Sequence, residues 1–208
     1  MTKVLIIDSA ATGDASVSRK LTAEFAERLA ERDPAVRIVR RDIGASTIPH
    51  LTAETVGAIR GVATTDAERE TLALSDALVA ELKEADLIVI GAPMYNFGMS
   101  STLKTWFDHI ARAGVTFRYT AEGPEGLVTG KKAVVVETRA GFYSEGPGAA
   151  MDSQEPHIRT LLGFMGVDDI TFVRAEKLAF SLEASEAAIA DAVAKLGNHA
   201  ETELALAA

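Results

Sequence analysis

The fold is constrained most by five short apolar runs that are separated by stretches long enough to hold a helix. The runs cover residues 4–7, 36–39, 87–90, 133–136 and 170–173. Most of them are almost wholly apolar, as strands buried on both faces are, whereas the second contains Arg37 and suggests a strand near a sheet edge. Strands that alternate with helical crossovers form parallel sheets. We therefore expect one α/β domain over residues 1–208, with a five-stranded parallel sheet and helices on both faces.

Capping side chains mark where the helices begin. Thr65 precedes a helix that continues through Leu82, and Ser100 or Ser101 can cap a helix that carries Trp106. An Ala-rich stretch from about Glu183 predicts a last helix, with the Gly-Asn pair at 197–198 as its stop or kink.

Composition excludes several classes of function. The net charge of -9 argues against nucleic acid and against an anionic membrane surface as partners. No run approaches the roughly 20 apolar residues of a membrane-spanning helix. The chain has no cysteine, which excludes disulfides, thiolate metal sites and a Cys nucleophile. We expect a cytoplasmic protein, and no metal site, because the four histidines (His50, His109, His157 and His199) are scattered without metal-ligand spacing.

Three strand-to-helix loops are predicted to meet at the carboxyl edge of the sheet, where open α/β sheets bind ligands. The first, residues 9–18, is rich in small and hydroxyl side chains and leads into a helix at about Ser16. Free N–H groups at a helix start favour a phosphate, and Ser16 and Ser18 can add hydroxyl donors. The alternative is that Ser16 is only a helix cap. The loop is neither a Walker loop nor a Gly-x-Gly-x-x-Gly fingerprint, and the chain has no Gly-x-Ser-x-Gly elbow.

The other two loops suit a flat ligand. Met94, Tyr95, Asn96 and Phe97 follow the third run and offer ring faces, an amide and backbone groups. Tyr95 and Phe97 alternatively pack under neighbouring helices, which is the commoner fate of two aromatic side chains. Residues 138–141, Thr-Arg-Ala-Gly, supply small side chains that let a planar ring approach the backbone.

Several blocks, in order, resemble the FMN-dependent NADH-azoreductases, also called FMN-dependent NADH:quinone oxidoreductases. The blocks are Ala-Pro-Met-Tyr-Asn-Phe at 92–97, Leu-Lys-x-x-Phe-Asp at 103–108, Ala-Gly-Val-Thr-Phe-Arg-Tyr at 113–119, Gly-Pro-Glu-Gly-Leu at 123–127 and Leu-Gly-Phe at 162–164. The resemblance implies a flavodoxin-like three-layer fold with strand order 2-1-3-4-5. It also implies a homodimer with FMN near the interface and NADH as electron donor.

The resemblance further implies the site residues. FMN phosphate contacts map to Ala10, Ser16, Val17 and Ser18, and ring contacts map to Met94, Tyr95, Asn96, Phe97, Thr138, Arg139, Ala140 and Gly141. Tyr119 and Phe164 match aromatic side chains over the substrate pocket. The flavin carries the chemistry, so no catalytic side chain is expected. The chain departs from the family in having Val17 for a common Gln, Ala140 for a common Gly, and a longer segment over residues 142–157.

The function that these residues predict is ping-pong, two-electron reduction of quinones and reductive cleavage of aromatic azo compounds. A flavodoxin-type electron carrier without a small-molecule substrate shares the fold and the acidic charge, so it stays open as an alternative. A cofactor-free α/β binding protein is a third possibility.

Overall fold

The computed structural model describes residues 2–205, with side chains described through residue 201. Within that range the strands are β1 (Lys3–Asp8), β2 (Arg37–Asp42), β3 (Leu87–Pro93), β4 (Phe117–Thr120), β5 (Gly123–Gly126), β6 (Lys132–Thr138) and β7 (Asp169–Ala175). The helices are α1 (Val17–Arg32), α2 (Asp66–Glu84), α3 (Ser101–Ile110), α4 (Glu155–Phe164) and α5 (Leu182–Ala205). Short 3-10 turns occur at Gly13–Ala15, Ala58–Arg60 and Gly146–Met151.

Five of the described strands form one parallel sheet in the order β2-β1-β3-β6-β7. Counted along the chain without the separate hairpin β4-β5, this is the predicted order 2-1-3-4-5. The central strands are buried on both faces, which explains their continuous apolar runs. The edge strand β2 is instead largely exposed, as its arginines indicated.

The two faces of the sheet are covered by different helices. Val4, Ile6 and Val134 pack in one apolar cluster with Phe25 of α1 and Leu196 of α5. The alternate residues of the same strands point to the opposite face, where they form a second cluster with α2, α3 and α4. The molecule therefore has three layers.

The predicted helix caps are confirmed. The side chains of Ser16, Thr65 and Ser100 each accept a hydrogen bond from the backbone N–H three residues on. The Thr65 backbone N–H in turn donates to the Glu68 carboxylate, which completes a capping box.

The predicted stop at residues 197–198 is wrong, because α5 continues to Ala205. A glycine inside a helix costs roughly 1 kcal/mol relative to alanine, and packing outweighs that cost here. Leu196 and Ala200 are completely buried, and a Cβ at Gly197 would lie 2.9 Å from a guanidinium nitrogen of Arg28 in α1. Gly197 thus allows two helices to approach each other. None of the helices among the described residues is long and apolar enough to cross a membrane.

Candidate functional site

The three predicted loops begin side by side at the carboxyl edge of the sheet. Asp8 at the end of β1 pairs in register with Gly91 of β3, and Pro93 of β3 pairs with Thr138 of β6. We call the segment 9–18 the phosphate loop, and the segments 94–97 and 138–141 the two ring loops. The fold thus brings together segments that lie up to 130 residues apart in sequence.

The phosphate loop presents a polar cradle at the start of α1. The Ser16 and Ser18 hydroxyls lie 3.0 Å apart, and both residues are buried. Among the described residues, nothing accepts a hydrogen bond from the backbone N–H groups of Val17 and Ser18. Unpaired N–H groups, two hydroxyls and the helix dipole together form a site for an anion. Val17 contributes its backbone N–H to this anion site, and a Gln at the same position would contribute the same group.

Two further contacts hold the phosphate loop in place. Arg19 forms a two-pronged ion pair with Asp42 at 2.6 and 2.8 Å and donates a hydrogen bond to the Gly13 carbonyl oxygen. The Arg19 hydrogen bond is the main reason that the pKa of Asp42 lies below its usual range. Ala10 is buried, and its carbonyl oxygen would lie 2.1 Å from a Cβ at Gly44. The loop therefore has a fixed backbone path.

The first ring loop is a tight turn with unusual backbone angles. Tyr95 and Gly98 exchange two backbone hydrogen bonds, of 2.9 and 3.0 Å. Asn96 and Phe97 between them have positive φ angles of 47° and 71°, which is the pattern of a type I′ turn. Positive φ is tolerated by Asn but strained for a bulky residue such as Phe. Phe97 holds its ring 45% exposed at the edge of the sheet in spite of this strain.

The loops are tied to each other by hydrogen bonds. The Tyr95 hydroxyl accepts from the Ala11 backbone N–H at 3.1 Å, which joins the first ring loop to the phosphate loop. The Met94 N–H donates to the Thr138 carbonyl at 2.9 Å, which joins the two ring loops. The cradle is therefore one connected unit.

The second ring loop rests on a buried ionic network that sequence reasoning missed. The Arg139 side chain is completely buried and lies 2.6 Å from Glu137, 3.0 Å from Asp152 and 3.3 Å from Glu176. Its backbone N–H and carbonyl are also paired, with Ala175 and Leu178. Arg139 thus fixes the loop from beneath, and its guanidinium points into protein. The one sequence signal for the Glu137–Arg139 ion pair is that an acidic residue and a basic residue stand two positions apart.

Glu137 and Glu176, two carboxylates of this network, have opposite pKa shifts. Burial is the largest influence on Glu137 and raises its pKa to about 7, although Arg139 opposes the rise. Burial also disfavours the charged form of Glu176, but hydrogen bonds from Ser144, the Tyr143 N–H and Arg139 outweigh it and lower the pKa. Glu176 is therefore a permanent anion in the neutral range, whereas Glu137 titrates there.

Four backbone N–H groups of the ring loops have no hydrogen-bond acceptor within residues 2–205: those of Asn96, Phe97, Ala140 and Gly141. These N–H groups lie on the two adjacent ring loops, where Ala140 has a small side chain and Gly141 has none. A flat heterocycle with acceptor atoms on its edge satisfies such donors, while the cradle at α1 satisfies its phosphate. The residues present therefore fit a flavin mononucleotide.

The ring contacts of Tyr119 and Phe164 are with Phe117 and not with the ring loops. Both flank Phe117, with ring centroids 5.6 Å (Tyr119) and 4.4 Å (Phe164) from its own. Gln154, just before α4, donates to the Ala92 carbonyl near the ring loops, whereas Phe164 ends that helix. Ten helical residues span about 15 Å. The structure thus gathers these two aromatic side chains around Phe117, with Phe164 one helix length away from the end of α4 that lies beside the ring loops.

A parallel sheet of this order, with a phosphate cradle and two ring loops at its carboxyl edge, defines a flavodoxin-like protein. The sequence matches the family described as having a flavodoxin-like fold over residues 2–200. A protein of Hyphomonas neptunium named FMN-dependent NADH:quinone oxidoreductase is 47% identical over 208 residues and covers all of both chains. A protein of the same name from Escherichia coli is 48% identical over 198 residues, covering 94% of this chain and 97% of its own.

This chain therefore belongs to the family of FMN-dependent NADH:quinone oxidoreductases. Among solved structures, the FMN-dependent NADH-azoreductase from Bacillus anthracis in complex with FMN superposes with a TM-score of 0.89 at 25% identity, over 97% of this chain and 99% of that one. Another Bacillus anthracis azoreductase has a TM-score of 0.88 at 29% identity, over 97% and 100% of the two chains. The family predicted from the motif blocks is confirmed.

Proposed function

We propose that this protein binds FMN at the three loops and uses NADH to reduce quinones and aromatic azo compounds two electrons at a time. Bound FMN supplies the redox chemistry by taking a hydride from NADH and passing two electrons to the acceptor. The observation that carries the proposal is the set of unpaired donors at one edge, the N–H groups of Val17, Ser18, Asn96, Phe97, Ala140 and Gly141. We also place the protein in the cytoplasm, because NADH, the proposed electron donor, is a coenzyme of that compartment.

The individual site residues have distinct tasks in this proposal. Ser16, Val17 and Ser18 hold the phosphate, and the backbone of Ala10 shapes the loop beside them. Met94, Tyr95, Asn96, Phe97, Ala140 and Gly141 hold the ring, while Thr138 and Arg139 position the second ring loop. A quinone needs one NADH, whereas cleavage of an azo bond to two amines needs two.

We infer that Tyr119 and Phe164 serve the site of a second copy of the chain in a homodimer. Tyr119 is 73% exposed although its ring packs on that of Phe117. Helix α4, about 15 Å long, separates Phe164 at its end from Gln154, which contacts Ala92 beside the ring loops of the same chain. A twofold dimer places the same surface of each subunit against the other, so each site can receive both rings.

Mixing two variants tests the shared site. One subunit carries Tyr119→Ala with Phe164→Ala, and the other carries Ser16→Ala with Ser18→Ala. If the subunits pair at random, half of the dimers are heterodimers, and each heterodimer has one intact site out of two. The mixture should therefore recover about a quarter of wild-type activity. A mixture no more active than the mean of its components would show that the aromatic side chains act within one chain.

The visible spectrum of the purified protein tests the proposal as a whole. We expect flavin absorption bands after incubation with FMN and their bleaching on addition of NADH without oxygen. A colourless protein that takes up no FMN would contradict it. A flavodoxin-type carrier would bind FMN but consume almost no NADH without a partner reductase.

Initial rates test the order of steps. One pocket that NADH and the acceptor occupy in turn predicts parallel double-reciprocal lines. Intersecting lines with NADH and a quinone would show that both are bound at once.

A further inference from the structure

The Tyr143 side chain, which has no role in the site described so far, lies between the two ring loops. A Cβ built at Gly141 would be 2.7 Å from the Tyr143 hydroxyl oxygen and 2.8 Å from its Cζ, so the phenol end covers that glycine. The same ring meets the Phe97 ring edge-on, with centroids 5.9 Å apart and an interplanar angle of 84°. Tyr143 therefore touches both loops that the flavin ring would contact.

The backbone holds Tyr143 in this position. The N–H groups of Tyr143 and Ser144 donate to one oxygen of Glu176, at 2.8 and 3.1 Å, and the Ser144 hydroxyl donates to the other at 2.5 Å. Glu176 in turn pairs with the buried Arg139. Further along the segment, the Ser153 N–H donates to the Phe97 carbonyl at 3.0 Å. The segment is thus fastened at two points, and Tyr143 is preorganised.

The Tyr143 hydroxyl has no hydrogen-bond partner among the described residues. The residue is half-buried, and its hydroxyl is not among the buried side-chain atoms of those residues that lack a partner, so the hydroxyl remains open to a ligand. The N–H groups of Ala140 and Gly141, which have no acceptor among the described residues, lie on the loop whose glycine the hydroxyl covers, so three hydrogen-bond donors lie on or against this loop. Such a set fits the polar edge of a flavin, whose ring nitrogen and carbonyl oxygens accept hydrogen bonds.

We propose that the Tyr143 hydroxyl donates a hydrogen bond to the polar edge of the bound flavin ring and stabilises its reduced form. This inference rests on the proposed function, because it requires FMN in the cradle. Reduction adds electrons to the ring, and a hydrogen bond to a charged acceptor is roughly twice as strong as one to a neutral acceptor. Tyr143 should therefore favour reduced over oxidised FMN.

The test compares Tyr143→Phe, which removes only the hydroxyl, with Thr160→Ala, which removes an exposed hydroxyl that donates to the Pro156 carbonyl within α4. The readouts are the dissociation constant of oxidised FMN, from quenching of its fluorescence, and the midpoint potential of the bound flavin. We expect Tyr143→Phe to bind oxidised FMN within about threefold of wild type. Its preference for reduced FMN should fall about tenfold, which lowers the two-electron potential by about 30 mV.

Tyr143→Ala adds the loss of ring packing on Phe97 and Gly141. It should show the potential of Tyr143→Phe together with weaker binding of oxidised FMN. Thr160→Ala should keep the wild-type potential. A wild-type potential in Tyr143→Phe, or equal shifts in Tyr143→Phe and Thr160→Ala, would overturn the inference. Wild-type protein that binds no FMN would instead overturn the proposed function, so the two failures are distinguishable.

Discussion

The Glu137 carboxylate and the Arg139 guanidinium lie 2.6 Å apart, and both side chains are completely buried. They are two residues apart at the end of β6, so they point to the same side of the chain. The second oxygen of Glu137 has no hydrogen-bond partner among the described residues. Asp152, Glu155 and Glu176 add negative charge around the pair, while Arg174 approaches Glu137 at 3.7 Å. The loop beside the proposed flavin thus rests on an ionic network that is sensitive to pH.

The first prediction concerns Glu137→Gln and pH. The pKa of Glu137 rises from an ordinary 4.5 to about 7 in the folded protein, chiefly through burial. A raised folded pKa means that the contribution of Glu137 to stability is complete below about pH 4.5 and is lost as the pH rises through 7. Relative to Glu137→Gln, wild type should lose on the order of 2 kcal/mol of unfolding free energy between pH 5 and 8.

Urea unfolding of both proteins at several pH values measures this difference. Glu125→Gln is the control, because Glu125 is exposed and its pKa is lowered by the Arg118 hydrogen bond, so it stays charged over this range. A difference in unfolding free energy between wild type and Glu137→Gln that stays constant from pH 5 to 8 would contradict the prediction.

The second prediction concerns Arg139→Met. Removing the guanidinium leaves Glu137, Asp152 and Glu176 without their shared cation in a buried place. Breaking a buried pair from one side costs about 3–5 kcal/mol, so we expect a loss of that size and weaker FMN binding. The control Arg118→Met breaks an exposed pair with Glu125 and should cost less than about 1 kcal/mol. Equal losses in the two variants would refute a network role for Arg139.

The third prediction concerns the phosphate cradle. Ser18→Ala removes a buried hydroxyl beside the unpaired N–H groups at the start of α1. A hydrogen bond to a charged group contributes about 1.5–3 kcal/mol, so FMN should bind at least tenfold more weakly. Riboflavin, which has no phosphate, should bind equally to both proteins. Thr65→Ala removes the cap of α2, whose hydrogen bonds stay within residues 64–69, and should lower stability by about 1 kcal/mol without affecting FMN.

The fourth prediction separates the backbone and the ring of Phe97. Its φ of 71° is strained for any residue with a Cβ, and Phe97→Gly removes this strain whereas Phe97→Leu keeps it. We expect the glycine variant to be more stable than the leucine variant by about 1 kcal/mol in thermal or urea unfolding. Both variants lose the exposed ring, so both should have a raised KM for quinones. Equal stability would mean that the turn is unstrained.

The sequence predicted the sheet because its signals are local. Each central strand is a continuous apolar run, and helices α1, α2 and α3 each begin after a Ser or Thr whose side chain caps the helix. The predicted caps and the parallel sheet followed from those patterns, whereas the strand order followed from the resemblance of the motif blocks to the family. The predicted break at residues 197–198 failed because it depended on packing: Gly197 lies against Arg28 of another helix, and no local pattern contains that contact.

The candidate site also has features that the sequence determined and features that only the tertiary structure decided. The sequence by itself determined the three loops, because strand ends, Ser16 and the block at 94–97 are readable along the chain. Tertiary structure decided what each side chain does, since that depends on neighbours distant in sequence. It buried Arg139 among three carboxylates, tied Tyr95 to Ala11, and moved Tyr119 and Phe164 to the far end of α4. It also placed Tyr143 on Gly141, because Glu176, more than thirty residues away in sequence, holds the backbone there.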